Sequence, residues 1–153
     1  ELNYKLNGVN CRVSVVWNFM AAVGTEGTGD THYSVVKGSK ANVEIRQGAE
    51  QGYKPMLYVV CKGDDVAAFE ATLRKALKSV GDKYPGLGIE KSGDKEWKVT
   101  IPADIVKTHE QRFSSVMKVY LGYLVDGQIP AWERSQMISK YYTTTKALEV
   151  AKQ

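Results

Sequence analysis

The first half of the chain alternates apolar and polar residues with a period close to two, which is typical of β-strands. The longest such run covers residues 9–19, and the pair Asn7-Gly8 before it has the composition of a type I′ hairpin turn. We therefore expect a hairpin whose second strand reaches Phe19 and has one buried face. After a glycine-rich loop at 21–31, further strands are predicted at 32–36, 42–46 and 56–61.

The period then lengthens to three and four residues, which predicts an amphipathic helix over 65–81. Asp64 and Asp65 precede it as fitting N-caps, because a carboxylate accepts hydrogen bonds from the exposed N–H groups of a first turn. Glu70 stands four residues before Arg74, the spacing of a supporting ion pair. Two short strands, at 87–90 and 95–101, are expected to follow.

The last third is predicted to be helical. Thr108 and Gln111 have the spacing of a capping box, and an Asp126-Gly127 turn separates this helix from a final one after Pro130. The first of the two helices carries an apolar stripe: Phe113, Val116, Met117, Tyr120, Leu121 and Leu124. This element order predicts one α+β domain over residues 1–153, with a largely antiparallel sheet and helices packed on one face.

Composition narrows the class of protein without naming a function. Hydrophobic residues make up 43% and charged residues 25%, which is typical of a globular domain. The net charge of +4 comes from dispersed basic residues, so we expect no nucleic-acid partner. No apolar run approaches the roughly 20 residues that span a bilayer, so we expect a soluble protein without a membrane partner, either cytoplasmic or in a bacterial periplasm. The first residue, Glu1, suggests a processed or excised chain.

Motifs for cofactors and metals are largely missing. The glycines at 24, 27 and 29 have the reverse of the spacing that cradles a dinucleotide pyrophosphate, and a strand rather than a helix is predicted after them. His109-Glu110 resembles the opening of a zinc-protease helix, but Phe113 occupies the position of the second histidine. Cys11 and Cys61 form no Cys-x-x-Cys pair. We therefore predict no catalytic, cofactor-binding or metal-binding residue in this chain.

The most suggestive polar cluster lies where the glycine loop meets a strand. Asp30 and His32 are two residues apart, so on an extended backbone they lie on the same side and would meet a ligand together. An imidazole beside a carboxylate is suited to orienting a base or binding a sugar hydroxyl. Trp17 would add a stacking surface if it is exposed. The structural alternative is that Asp30 caps the loop, His32 begins a strand and Trp17 packs in the sheet.

Several segments together resemble a known family. They are Tyr4-Lys5-Leu6-Asn7-Gly8, Val15-Val16-Trp17-Asn18-Phe19, Gly29-Asp30-Thr31-His32-Tyr33-Ser34, Lys37-Gly38-Ser39-Lys40-Ala41, Tyr84-Pro85-Gly86-Leu87-Gly88 and residues 141–148. In these segments the chain is similar to the C-terminal domain of glucose–fructose oxidoreductase and inositol dehydrogenase (Gfo/Idh/MocA) family enzymes. The branch called putative oxidoreductase C-terminal domains is the most similar.

The resemblance implies a two-part enzyme. An N-terminal Rossmann domain, absent from this chain, would bind NAD or NADP, and the sheet domain would line the pocket for a sugar or polyol and build a homo-oligomer interface. The family's Lys-Pro motif does not match here, because Lys54-Pro55 follows Tyr53 rather than Glu, and its Asp/His-bearing helix is not recognisable. Asp30 and His32 are therefore not equated with family catalytic residues. The chain is expected to be inactive alone.

Two other functions remain open at this point. The chain would be a freestanding carbohydrate-binding module if Trp17 or Trp132 worked with the loop of Asp30 and His32. It would be a structural module if its sheet only mediated dimerisation. The substrate, the choice between NAD and NADP and the direction of reaction are not encoded in any motif of the chain.

Overall fold

A computed structural model describes residues 1–16 and 29–153 and confirms an α+β fold. The chain divides into two compact units, one formed by Glu1–Asn18 with Thr108–Gln153 and the other by Phe19–Lys107. The first unit holds a hairpin and two helices, and the second holds a five-stranded sheet and one helix. None of the helices in the described ranges has the length and apolar character needed to cross a bilayer.

The hairpin of the first unit consists of β1 (Leu2–Leu6) and β2 (Val9–Val13). Asn7 and Gly8 both have positive φ, 48° and 81°, which confirms the type I′ turn. The prediction that the second strand reaches Phe19 is wrong for residues 14–16, because β1 begins at Leu2, which pairs with Val13, and offers no partner for later residues of the second strand. Residues 17–19 lie outside the described ranges. The predicted buried face is also wrong, since Val9 is 65% exposed.

The helices of the first unit are α2 (His109–Asp126) and α3 (Ala131–Ala151). The capping box is confirmed: the hydroxyl of Thr108 accepts from the N–H of Gln111, and the Gln111 side chain accepts from the N–H of Thr108. Gly127, with φ of 65°, ends α2 in the left-handed conformation that glycine adopts without strain.

The sheet of the second unit has the strand order β3-β4-β5-β7-β6, with antiparallel pairing throughout. Its strands are β3 (His32–Lys37), β4 (Ala41–Gln47), β5 (Met56–Cys61), β6 (Gly88–Gly93) and β7 (Glu96–Thr100). Each of these strands was predicted from the sequence, with ends that differ by no more than three residues, and both ends of β5 were predicted correctly. The largely antiparallel sheet is therefore confirmed.

Helix α1 (Val66–Val80) begins and ends near the predicted residues. Asp65 is the N-cap, since its carboxylate accepts from the N–H of Ala68 at 3.0 Å. Asp64 has a different role from the predicted cap: it pairs with Lys95 at 2.7 Å, and the hydrogen bond from that ammonium lowers the pKa of Asp64. The predicted pair of Glu70 and Arg74 is confirmed at 2.6 Å.

Trp97 is the centre of the core between α1 and the sheet. Its side chain is fully buried, and Phe69 of α1 contacts it with ring centroids 5.4 Å apart. The apolar neighbours Val59, Cys61 and Val99 are also buried. Because side chains alternate along a strand, α1 covers the face that holds these residues, which we call the helix-covered face.

The indole nitrogen of Trp97 is buried and has no hydrogen bond of good geometry within the described residues. It nevertheless approaches the Glu70 carboxylate closely enough to affect it. Arg74 is the larger cause that lowers the pKa of Glu70, and the Trp97 indole is the second. This polar contact ties the buried ring to the surface of α1.

Candidate functional site

The candidate residues Asp30 and His32 lie at the start of β3, and both are exposed. Gln47 connects them: it is the ladder partner of His32, and its side-chain Nε2 donates to the main-chain oxygen of Asp30 at 2.9 Å. The fold therefore brings the two predicted residues to one end of the edge strand. Their substrate contact stays a prediction.

A loop between β4 and β5 lies against the same segment. A Cβ on Gly29 would come within 2.8 Å of Tyr53 Cβ, so the main chain at Gly29 packs directly on that side chain. Gly52 and Tyr53 both have left-handed φ, 58° and 57°, which is uncommon for a residue as large as tyrosine. The Tyr53 N–H donates to the oxygen of Gly48 at 2.8 Å and holds this conformation. We call Gly29, Asp30, His32, Gln47 and Tyr53 the edge cluster.

Two sequence predictions concern the loop before the edge cluster. Trp17 lies outside the described residues, so its place near Asp30 and His32 stays a prediction. Gly29 is described, and it leads within three residues into β3. A pyrophosphate cradle needs a helix N-terminus at that point, where main-chain N–H groups and the helix dipole meet the anion. A strand, rather than a helix N-terminus, follows Gly29, and the expectation that the chain binds no dinucleotide stays a prediction.

A second polar group lies on the sheet face opposite α1, and we call Glu44, Arg46, Tyr58 and Glu96 the Arg46 cluster. The guanidinium of Arg46 donates to Glu44 at 2.8 and 3.0 Å and to Glu96 at 2.7 Å. Its carbon lies 4.5 Å from the centre of the Tyr58 ring, a cation–π distance. Because Glu44 and Tyr58 are ladder partners, Arg46 crosses above β5 to reach Glu96 on β7.

In the Arg46 cluster, a half-buried cation is shared by two carboxylates, those of Glu44 and Glu96. The Glu44 side chain is only 9% exposed, and that of Arg46 is 31% exposed. Burial is the largest single effect on Arg46 and would lower its pKa, but hydrogen bonds to Glu96 and Glu44 together outweigh it and raise the pKa. Arg46 thus stays charged and takes no part in proton transfer. The cluster joins three strands, and its two carboxylates and one guanidinium together carry one net negative charge.

Sequence reasoning missed the Arg46 cluster. The alternation of Asn42, Glu44 and Arg46 along β4 was a usable signal, because it places three polar side chains on one face of a predicted strand. The contact of Glu96 with Arg46 could not be predicted from the sequence, because the two residues are 50 positions apart and meet only through the register of β4, β5 and β7.

An open cavity of about 880 Å³ lies at the junction of α2 and α3. Tyr123 of α2 lines it, as do Arg134 and Ser135 of α3. The hydroxyl of Tyr123 lies 3.5 Å from Glu133. Burial, followed by the Glu133 charge, raises the pKa of Tyr123, so this phenol stays protonated at neutral pH. Within residues 1–16 and 29–153, no three His, Cys, Asp or Glu side chains are grouped as metal ligands.

Comparisons with known proteins identify a family and a similar solved structure. A family model described as the putative oxidoreductase C-terminal domain matches residues 1–152. The crystal structure of a putative oxidoreductase from Parabacteroides merdae is 48% identical and superposes with a TM-score of 0.90. That match covers 98% of this chain but 34% of the other, so this chain spans about a third of that protein's length. None of the curated proteins matches.

Proposed function

Because the chain belongs to the family of putative oxidoreductase C-terminal domains, we propose that it is the C-terminal part of a longer NAD(P)-dependent enzyme of Gfo/Idh/MocA type. In this proposal the enzyme oxidises or reduces a sugar or polyol. The nucleotide cofactor is held by a Rossmann domain elsewhere in the longer polypeptide, and this chain lines the substrate pocket and contributes to a homo-oligomer interface through its sheet.

The observation that carries the proposal is the length of the related putative oxidoreductase. A related putative oxidoreductase is about three times as long as its match to this chain, so two thirds of it remain for nucleotide binding and the rest of the pocket. The described residues after Gly29 enter strand β3, where a pyrophosphate cradle would begin a helix, and this supports the proposal that the nucleotide is bound elsewhere. The cofactor supplies hydride chemistry, and this chain supplies shape and polar contacts.

The edge cluster is our proposed substrate-facing surface. Asp30 and His32 are exposed, while Gln47 and Tyr53 fix the backbone that carries them. A carboxylate and an imidazole at one strand end offer hydrogen-bond partners for the hydroxyls of a polyol. Neither residue is proposed as a catalytic residue.

A cofactor titration tests the proposal that NAD(P) binds to another part of the longer polypeptide and not to this chain. We expect the polypeptide encoded by the uninterrupted reading frame around this chain to bind NADH or NADPH, with quenching or enhancement of nicotinamide fluorescence. The 153-residue chain should give no saturable signal in the same titration. Tight binding of NAD(P)H by the 153-residue chain, or a reading frame that encodes this chain alone, would contradict the proposal.

Substitution of His32 tests the substrate-facing surface. In the longer enzyme, assayed against a panel of sugars and polyols, His32→Gln should raise the KM for the best substrate roughly 10-fold, because one polar contact is lost. The NAD(P)H dissociation constant should not change. Lys37→Gln is the matched control, since Lys37 is exposed at the other end of β3 and on the opposite face. If the parent enzyme, His32→Gln and Lys37→Gln have equal KM values, His32 does not contact the substrate.

A further inference from the structure

The other elements of the first unit, the hairpin and α3, leave the apolar stripe of α2 uncovered. Seven of the nine residues from 116 to 124 are apolar or aromatic. The following side chains of the helix are all more than half exposed: Phe113, Val116, Met117, Val119, Tyr120, Leu121 and Leu124. We call these seven residues the α2 stripe. Single exposed apolar residues need no explanation, but a continuous stripe of this size marks a surface that is buried in the working protein.

The width of the α2 stripe indicates what kind of surface covers it. A helix that pairs with one other helix presents a narrow seam of about two apolar residues in seven. A helix that packs on the body of a domain presents a wider face. The α2 stripe is of the wide type, whereas Lys118 lies on the other side of the helix. A second copy of α2 would bury only part of it.

We propose that the α2 stripe is the docking surface for the nucleotide-binding part of the longer polypeptide. This inference rests on the proposed function, and the length of the related putative oxidoreductase supports it, because two thirds of that chain lie outside the match. The stripe would fix the position of this domain relative to the rest of the enzyme. It shares no residue with the edge cluster or with the Arg46 cluster.

Cysteine labelling in the longer polypeptide tests the docking surface. Val116→Cys places a thiol in the α2 stripe, and Lys118→Cys places one on the polar side of the same helix, two residues away. We expect the thiol at 116 to react with a maleimide at least about 10-fold more slowly than the thiol at 118, because only the former is covered. In the 153-residue chain, with helix content verified by circular dichroism, the two rates should be similar. Labelling of the parent protein gives the background from native cysteines.

The other possible occupants give different results. Slow labelling at 116 in the 153-residue chain too would show that this chain or its own copies cover the stripe. Protection in the longer polypeptide that disappears on dilution to a monomer, followed by light scattering, would identify a second copy. Fast labelling in both proteins would show an uncovered surface. Each of these overturns the proposal. NAD(P)H titration of the same samples distinguishes a wrong docking surface from a wrong function, since cofactor binding with fast labelling at 116 contradicts only the docking.

Discussion

Replacing Trp97 by alanine should lower the free energy of unfolding by about 3–5 kcal/mol, the usual cost of truncating a large buried aromatic side chain. Trp97 is fully buried, it contacts Phe69 of α1, and it lies between Val59 and Lys91 in the sheet ladder. Its removal therefore leaves a cavity at the place where helix and sheet meet. Urea unfolding followed by far-UV circular dichroism measures the loss without depending on tryptophan fluorescence.

Trp132→Ala is the matched control for this prediction. Trp132 has the same side chain but is 55% exposed on α3, so its removal creates no closed cavity. We expect its urea midpoint to stay close to that of the wild-type chain. A Trp97→Ala chain as stable as the Trp132→Ala chain would show that α1 and the sheet do not form the core described here.

Local patterns were sufficient to predict most of the secondary structure. The Asn7-Gly8 turn, the Asp65 cap and the Thr108 capping box each depend on residues close together in sequence, and each was confirmed. The end of β2 was predicted wrongly because it is set by its partner. Ser14 and Val15 keep the alternating pattern, which breaks at Val16, but β1 is too short to pair with them.

The candidate site was less predictable, because its parts come from distant segments. Asp30 and His32 attract attention in the sequence as a polar pair, and the structure places them at one strand end. Their supporting residues Gln47 and Tyr53 carry no motif: one acts through strand register and the other through a left-handed backbone conformation. Neither long-range register nor an uncommon φ value is encoded in apolar periodicity.

Replacing Arg46 by methionine should cause the second large loss in the free energy of unfolding. Arg46→Met keeps an unbranched chain over the Tyr58 ring but removes the charge shared by Glu44 and Glu96. Loss of one partner of a buried ion pair costs about 3–5 kcal/mol, and we expect about 2–4 kcal/mol here because the Arg46 side chain is 31% exposed. Urea unfolding at pH 7 measures this loss. Arg74→Met is the control, since the pair of Arg74 and Glu70 lies at the surface and should contribute little.

The pH dependence separates lost charge pairing from lost packing. In the wild-type chain the pKa of Arg46 is raised, so its contribution is lost only when the pH rises through that value, above the ordinary working range. In Arg46→Met, the buried carboxylate of Glu44 has lost its cation, so the folded state of the variant favours the protonated form. The folded variant therefore binds more protons, and the loss of unfolding free energy relative to the wild-type chain becomes smaller as the pH falls from 7 toward about 4. The double variant Glu44→Gln/Arg46→Met should likewise be more stable than Arg46→Met at pH 7, because the more deeply buried carboxylate, that of Glu44, is no longer left without its cation; Glu96 is the more exposed of the two. If the loss of unfolding free energy is the same at pH 7 and at about pH 4, and the same in the double variant, Arg46 acts only through its packing on Tyr58.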